Sequence, residues 1–321
     1  MVKPGNHCTG SLFFLLIAAL LISGCGSGGN SGAAQALGGV KATPAASGSG
    51  DPLTFGIIYP MVNPTYETIT ENAETAASLR NVRLLVQAPD EANLEQQIRI
   101  MEMMIKQGVD GIAIDPVDSD AIIPVINKAR DRGIPVVCFE SDSPDSRRIA
   151  FIGADNYKTG EVIGSTVDRL LQGRGMILVE NGMPHMLGLG ERQKGLLDYL
   201  LHNTKIDVLE TQNNDGSEAG ATEQLEAMIE RHPHFSALIS LDFVSSASSI
   251  LIWKAKGLKR INVALGLTPD VKQSLNNGQI SGIISQNEQH WGESIIATLL
   301  KAASGFTVPE FVDTGITEIY P

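Results

Sequence analysis

From Thr54 onward, short apolar runs alternate with stretches of helical periodicity, joined by only a few residues each. The run Val136–Phe139 is the clearest: it is apolar at every position, of strand length, and ends at Glu140. A strand with no polar alternation has both faces buried, as in a parallel sheet covered by helices on each side. Alternating strands and helices with short connections predict parallel strands joined by right-handed crossovers. In open sheets of this kind, ligands bind beyond the carboxyl ends of the strands, and Glu140 falls there. A second strand, Ile149–Gly153, runs into the helix cap Asp155–Asn156. Here the chain is expected to leave one domain and enter another, with a ligand between them.

The pattern predicts further strands at Thr54–Ile58, Arg83–Gln87 and Gly111–Ile114, with helices at Thr65–Leu79, Asn93–Lys106 and Ala121–Arg132. After Asp155 it predicts strands at Met176–Val179, Ile206–Thr211, Ala237–Ser240, Asn262–Leu265 and Gly282–Ser285. The intervening helices are Lys158–Leu171, Glu191–Leu201, Glu218–Arg231, Ser245–Lys256 and Pro269–Asn276, with a last one at Trp291–Ala303. The length of 321 residues suits two α/β domains.

The first 24 residues read as a targeting segment: Lys3, then the apolar stretch Leu12–Ile22, too short for the ~20 residues of a membrane span. Ile22-Ser-Gly-Cys25 follows and resembles a bacterial lipobox, which implies lipidation of Cys25 and a lipid-anchored location in the periplasm or cell envelope. Residues 25–52 are rich in Gly, Ser and Ala and read as a flexible tether with a reach of roughly 25–30 Å. Of the three cysteines, Cys8 leaves with the signal and Cys25 carries lipid, so Cys138 stays as a lone core thiol. The net charge of −12 argues against nucleic acid and anionic membrane surfaces as partners.

Polar residues recur at the expected strand ends: Asp115, Glu140, Asp215 and Asp242, with Arg192 at the start of a helix and Gln286 just after a strand. Such side chains make paired, directed hydrogen bonds of the kind adjacent sugar hydroxyls require. An aromatic ring, Tyr66, is available to pack on the apolar face of a sugar. Each acid taken singly is also a good helix cap; their repetition at equivalent places favours a site. Enzyme signatures are missing: there is no G-x-S-x-G elbow and no phosphate-binding G-x-x-x-x-G-K-[ST] loop. Gly188-Leu-Gly190 is followed by Gln193 where a dinucleotide fingerprint needs a third glycine. His232-Pro-His234 lacks further zinc ligands, and Asp115–Asp120 has the wrong spacing for a calcium loop. No cofactor, metal or catalysis is expected.

Several segments resemble the type I periplasmic sugar-binding proteins, the ribose-binding group related to the lactose-repressor core. They are Gly111-Ile-Ala-Ile-Asp-Pro-Val-Asp-Ser-Asp120, Ile134-Pro-Val-Val137, Ile152-Gly-Ala-Asp-Asn156 with Gly160, Glu191-Arg192 with Gly195, and Ile284-Ser-Gln286. The resemblance implies two doubly wound α/β domains joined by a three-stranded hinge. One lobe would hold 53–154 plus 287–314, the other 155–286 plus 315–321. It implies ligand contacts from Thr65, Tyr66, Asp115, Glu140, Ser141, Arg192, Asp215, Asp242 and Gln286. It also implies a monomer that passes a sugar-like ligand to an ABC permease. The alternatives are a ligand-sensing co-receptor or a glycoside-acting hydrolase using Glu140 and Asp242. The chain departs from the ribose binders in four places. It has one first-loop aromatic rather than two, Ser141 in place of Arg, Asp242-Phe243 in place of Asn-Asp, and no Asp in Leu265-Gly-Leu267. Four acids against Arg192 alone point away from ribose, toward an amino sugar or another cationic or polyol-like ligand.

Overall fold

The structure, a computed structural model, describes residues 51–321; the expected signal, Cys25 and nearly all of the tether lie outside them. The first lobe begins with β1 (Thr54–Ile58), α1 (Thr65–Leu79), β2 (Arg83–Gln87), α2 (Leu94–Gln107), β3 (Gly111–Ile114), α3 (Ile123–Asp131), β4 (Val136–Phe139) and β5 (Ala150–Gly153). The second continues with α4 (Asn156–Leu171), β6 (Arg174–Asn181), α5 (Leu187–Asn203), β7 (Lys205–Asn213), α6 (Glu218–Arg231), β8 (Ala237–Ser240), α7 (Phe243–Lys256), β9 (Ile261–Leu265), α8 (Pro269–Asn276) and β10 (Gly282–Ser285). A 3₁₀ turn at Glu288–His290 leads to α9 (Trp291–Ala303), β11 (Phe311–Asp313) and β12 (Thr317–Ile319). No described helix is long and apolar enough to cross a membrane.

The first sheet runs β11-β5-β4-β3-β1-β2 with every pair parallel. The second runs β12-β10-β9-β8-β6-β7, parallel except for β12 against β10. Side-chain alternation explains why the strands read as unbroken apolar runs. In β4, Val137 and Phe139 join the layer containing α1 and α9, whereas Val136 and Cys138 join the layer of α2 and α3. In β6, Ile177 and Val179 meet α4 and α5, and Leu178 meets α6 and α7. Helix starts follow the cap chemistry in the sequence: Asn93, Asp155, Ser217 and Thr268 each accept an amide of their own first turn.

The chain passes between the lobes three times: between β5 and α4, between β10 and α9, and between β11 and β12. Side chains lace these crossings together. The Thr314 hydroxyl donates to the Gln286 carbonyl at 2.7 Å, and the Asn287 amide donates to the Thr314 carbonyl at 2.8 Å. The backbone N–H of Thr314 reaches the Gly153 carbonyl at 2.9 Å. β11 and β12 are three-residue edge strands, too short and exposed to show an apolar pattern.

Several expected boundaries move by a few residues, and two of the shifts bear on the site. β6 extends to Asn181, two residues beyond the expected end, and carries Glu180 into the sheet. α5 begins at Leu187 rather than Glu191, so Arg192 lies in its second turn and not at its start. Gly188 and Gly190 sit inside this helix; a tight approach demands the first of them, since a Cβ on Gly188 would come within 2.5 Å of Asn156 Nδ2.

α4 and α5 approach with backbone against backbone. A Cβ on Gly160 would stand 2.0 Å from the Arg192 carbonyl oxygen. Gly160→Ala is therefore expected to cost about 1–3 kcal/mol by overpacking. Gly190→Ala, with nothing within 4 Å of the added carbon, should be stabilising by about 0.5–1 kcal/mol through helix propensity. Urea denaturation of the two variants checks the contrast; equal midpoints would contradict the close helix approach.

Candidate ligand-binding site

The carboxyl ends of β3 and β4 face those of β6 and β8 where the lobes meet. Asp115 follows β3 and Glu140 follows β4, and both are buried. The Tyr66 hydroxyl, from the first turn of α1, lies 3.3 Å from Asp115 Oδ2 and 3.4 Å from Glu140 Oε2. Tyr66 stacks on Tyr59 with ring centroids 4.5 Å apart. Tyr59, one residue past the end of β1, thus supplies a second aromatic beside the site. Glu140 adopts φ +58°, a conformation that non-glycine residues rarely occupy.

From the second lobe comes Asp242, the cap of α7, which accepts from the backbone N–H groups of Val244 at 3.1 Å and Ser245 at 3.3 Å. The Asn214 amide sits 3.4 Å from Asp242 Oδ1 and 3.2 Å from the Ser245 hydroxyl. Arg192 is fully buried. It donates to the Leu241 carbonyl, to Asn156 Oδ1 at 2.7 Å and to Gln286 Oε1 at 3.0 Å, while its Nε–H has no partner. Gln286 in turn donates to Asn156 Oδ1 at 2.8 Å, and Asn156 donates to the Glu140 carbonyl at 2.9 Å. One polar chain thus runs from the first lobe through two crossings into the second.

Enclosed by these groups is a cavity of ≈ 20 Å³, lined by Tyr66 and Glu140 on one side and Asp242 and Phe243 on the other. Met61, Met183 and Met186 cover it. Larger cavities lie farther off, as the ≈ 630 Å³ among α6, α7 and α8, or adjoin this one, as the ≈ 440 Å³ beside Tyr59, Met61 and Tyr66 and the ≈ 360 Å³ beside Asn63 and Phe243. None of these three is lined by Asp115, Glu140, Arg192 or Asp242. The lobes touch around the cavity. The amides of Leu187 and Gly188 at the start of α5 donate to the hydroxyls of Ser119 at 3.0 Å and Ser141 at 3.1 Å.

The structure therefore brings together Tyr66, Asp115, Glu140, Ser141, Arg192, Asp242 and Gln286. It does not bring in Thr65 or Asp215. Thr65 is half-buried, its amide held by Asn63 Oδ1 at 2.9 Å, and it lines an outer groove. Asp215 is exposed, its carboxylate turned back onto Ser217 N at 2.9 Å and Ser217 Oγ at 2.7 Å. Asn214 takes the buried place expected of Asp215, because the turn at Gly216 directs alternate residues inward. Asn156 and Glu180 join the cluster without a sequence signal: Asn156 follows the cap Asp155 at the start of α4, and Glu180 is a polar residue in the apolar strand β6.

Burial dominates the electrostatics. It pushes the Asp115 carboxyl well above the ordinary carboxylate range, with the Glu140 charge adding to the effect. Glu140 is also raised by burial, and the Arg192 charge works against that rise. Burial pushes Asp242 up to about 6. It pushes Glu180, neither of whose carboxyl oxygens has a hydrogen-bond partner, up to about 9, with the Asp242 charge contributing. The Arg192 guanidinium is pulled down by the same desolvation. Among the described residues, no group of three or more His, Cys, Asp or Glu is arranged to hold a metal.

Two doubly wound lobes, three connections between them and a buried polar cluster at their facing strand ends define a two-lobed ligand-binding protein with the type I periplasmic-binding-protein fold. The chain belongs to the family described as the periplasmic binding protein domain, whose model matches residues 55–306. It is 28% identical over 238 residues to the D-ribose/D-allose-binding protein of Pseudomonas aeruginosa, covering 71% of this chain and 74% of that one. It is 23% identical to the ribose import binding protein of Bacillus subtilis, covering 78% and 82%. A solved ABC transporter solute-binding protein from Burkholderia graminis, in complex with D-arabinose, superposes with a TM-score of 0.79 at 26% identity. That match covers 84% of this chain and 95% of the other.

Glu180 gives a stability test. Its folded pKa of about 9 exceeds the ordinary 4.5. Its contribution is thus fully present below pH ~4.5 and is lost as pH rises through about 9, at up to ~1.4 kcal/mol per pH unit. Glu180→Gln removes the titration. The variant should gain on the parent as pH rises from 5 to 8, and thermal melts across that range would show it. A constant difference would mean that Glu180 is solvated.

Proposed function

We propose that this protein is an extracytoplasmic solute-binding protein that captures a sugar-like, polyhydroxylated small molecule between its lobes and delivers it to an ABC permease. The observation that carries the reading is the buried cluster of Tyr66, Asp115, Glu140, Arg192 and Asp242, contributed by both lobes beside the crossings. Carboxylates and amides give the paired acceptors and donors that vicinal hydroxyls need. The stacked Tyr59–Tyr66 pair and Phe243 give apolar faces for ring C–H groups. The sugar names carried by the relatives support the same class. A cavity of ≈ 20 Å³ is far too small for a monosaccharide, so the lobes part about their crossings to admit one and close on it. The permease then reads the closed form.

Hydrolysis fits the site poorly. The first-turn amides of α7 hold Asp242 as a hydrogen-bond acceptor and favour its ionised form, which makes it a poor proton donor opposite Glu140. The contacts assigned to ligand are Tyr66, Asp115, Glu140, Arg192, Asp242 and Gln286. Ser141 acts at the lobe contact, and Asn214 replaces Asp215. The protein works as a monomer, held to the membrane through lipid on Cys25.

Two measurements test this function. Thermal-shift screening against pentoses, hexoses, amino sugars and polyols should find a ligand; at a hundred times its Kd the stabilisation is ~2.7 kcal/mol. The same ligand should change the emission of Trp291, which packs edge-on against Phe139 of the first lobe and Phe243 of the second. A Trp253→Phe background isolates that signal, since Trp253 lies in the core of the second lobe. A panel with no hit, or a hit with no change at Trp291, would count against closure over a sugar. For the anchor, Cys25→Ser should move the protein from the membrane to the soluble fraction and abolish labelling by a fatty-acid probe; retention on the membrane would refute lipidation there.

A further inference from the structure

We propose that the ligand carries a protonated amine on its polyhydroxylated frame, as an amino sugar or amino-polyol does, and that the ammonium seats between Glu140 and Asp242. This deepens the function proposed above and rests on it. The argument is one of charge and of hydrogen-bond donors. Among the described residues Arg192 is the only fully buried cation, and four acids, Asp115, Glu140, Asp242 and Glu288, are buried around it. The guanidinium gives its hydrogen bonds to neutral oxygens, those of Leu241, Asn156 and Gln286, and none to a carboxylate. The acids are left without a hydrogen-bonded cation in a site withdrawn from water, which is an expensive arrangement.

Glu140 and Asp242 line the enclosed cavity from opposite lobes. Closing the lobes drives these two carboxylates toward each other, so closure over a neutral molecule works against their repulsion. An ammonium between them turns that repulsion into attraction on both sides. It also supplies three donors to the carboxylates of the wall, and behind the Tyr66 hydroxyl Asp115 Oδ1 is buried and has no partner. Apart from Asn63 and Tyr66 the rest of the wall is apolar: Met61, Met183, Met186 and Phe243 suit the apolar face of a ring. The Ser141 hydroxyl, where an arginine would compensate the acids, is spent on the Gly188 amide at 3.1 Å.

Isothermal titration of the full protein tests the inference with D-glucosamine, D-galactosamine, D-mannosamine and an aminodeoxyinositol. Each is paired with its neutral parent and its N-acetyl form. At pH 7.5 one amine should bind at least tenfold more tightly than both neutral counterparts. That preference should shrink as pH falls through about 6, where Asp242 takes up its proton. Asp242→Asn and Glu140→Gln should each cut the amine-to-parent affinity ratio at least fivefold. Should a variant fail to fold, the pH dependence of the parent protein still decides. A neutral sugar or polyol that binds as tightly as its amine overturns the inference and leaves the proposed function standing. If no polyhydroxylated molecule binds, charged or neutral, the function falls and the inference with it.

Discussion

A guanidinium withdrawn completely from water must receive its solvation from fixed groups, and Arg192 receives it from three parts of the chain at once. Its oxygen partners are the Leu241 carbonyl beyond β8, Asn156 at the first crossing and Gln286 at the second. None can move far without leaving a buried N–H unpaired, a loss of ~1–3 kcal/mol or more for a charged group. The position of α5 is fixed from the other side, by the approach of its backbone to Gly160 in α4. Arg192 therefore ties the floor of the second lobe to the crossings. The polar cluster sits on a stiff base while the lobe contact above it is made of replaceable hydroxyl and thioether contacts.

Those upper contacts are chemically weaker. The first amides of α5 find their acceptors in Ser119 and Ser141 of the opposite lobe, through single neutral hydrogen bonds. Each is worth ~1 kcal/mol net, and water can replace it when the lobes separate. Met61, Met183 and Met186 pack with Leu189 and Val244 over the cavity. Unbranched thioethers adapt to a change of shape more readily than branched side chains do. A cover of this kind can come off and re-form over a bound ring, whereas a cover of interlocked β-branched residues would resist both steps.

Much of the architecture was legible because burial on both faces leaves a plain mark. The runs Val136–Phe139 and Ala237–Ser240 coincide with β4 and β8. The cap at Asp155 marks the start of α4. What the sequence hid follows from where patterns lapse. Glu180 continues β6 as a polar residue buried without partners, so hydropathy ends the strand before it does. Leu187–Gly190 contains two glycines and no capping side chain of its own, because the cap comes from Ser119 and Ser141 far away in sequence. A local reading therefore starts α5 late and misplaces Arg192 on it. Asp215 and Asn214 are adjacent polar residues in one turn, and only the backbone direction at Gly216 decides which faces inward. Tyr59 shows its role only through Tyr66, a through-space neighbour.

Glu140 joins these threads. Its φ of +58° is a left-handed conformation that costs a bulky L-residue ~1–3 kcal/mol and persists only where the surroundings over-determine it. They do so here. The Glu140 amide donates to the Ile152 carbonyl at 3.2 Å and its carbonyl accepts from Asn156 at 2.9 Å. Gly188 packs so closely on that carbonyl that a Cβ there would approach it to 2.9 Å. Glycine would meet the backbone requirement at lower cost but would supply no carboxylate. In an extended conformation the chain would carry the side chain onward with the strand. The left-handed residue instead turns the chain at the end of β4 and leaves the carboxylate beside Tyr66, at the cavity wall. The strain is thus the cost of aiming one charge at the place where the two lobes meet.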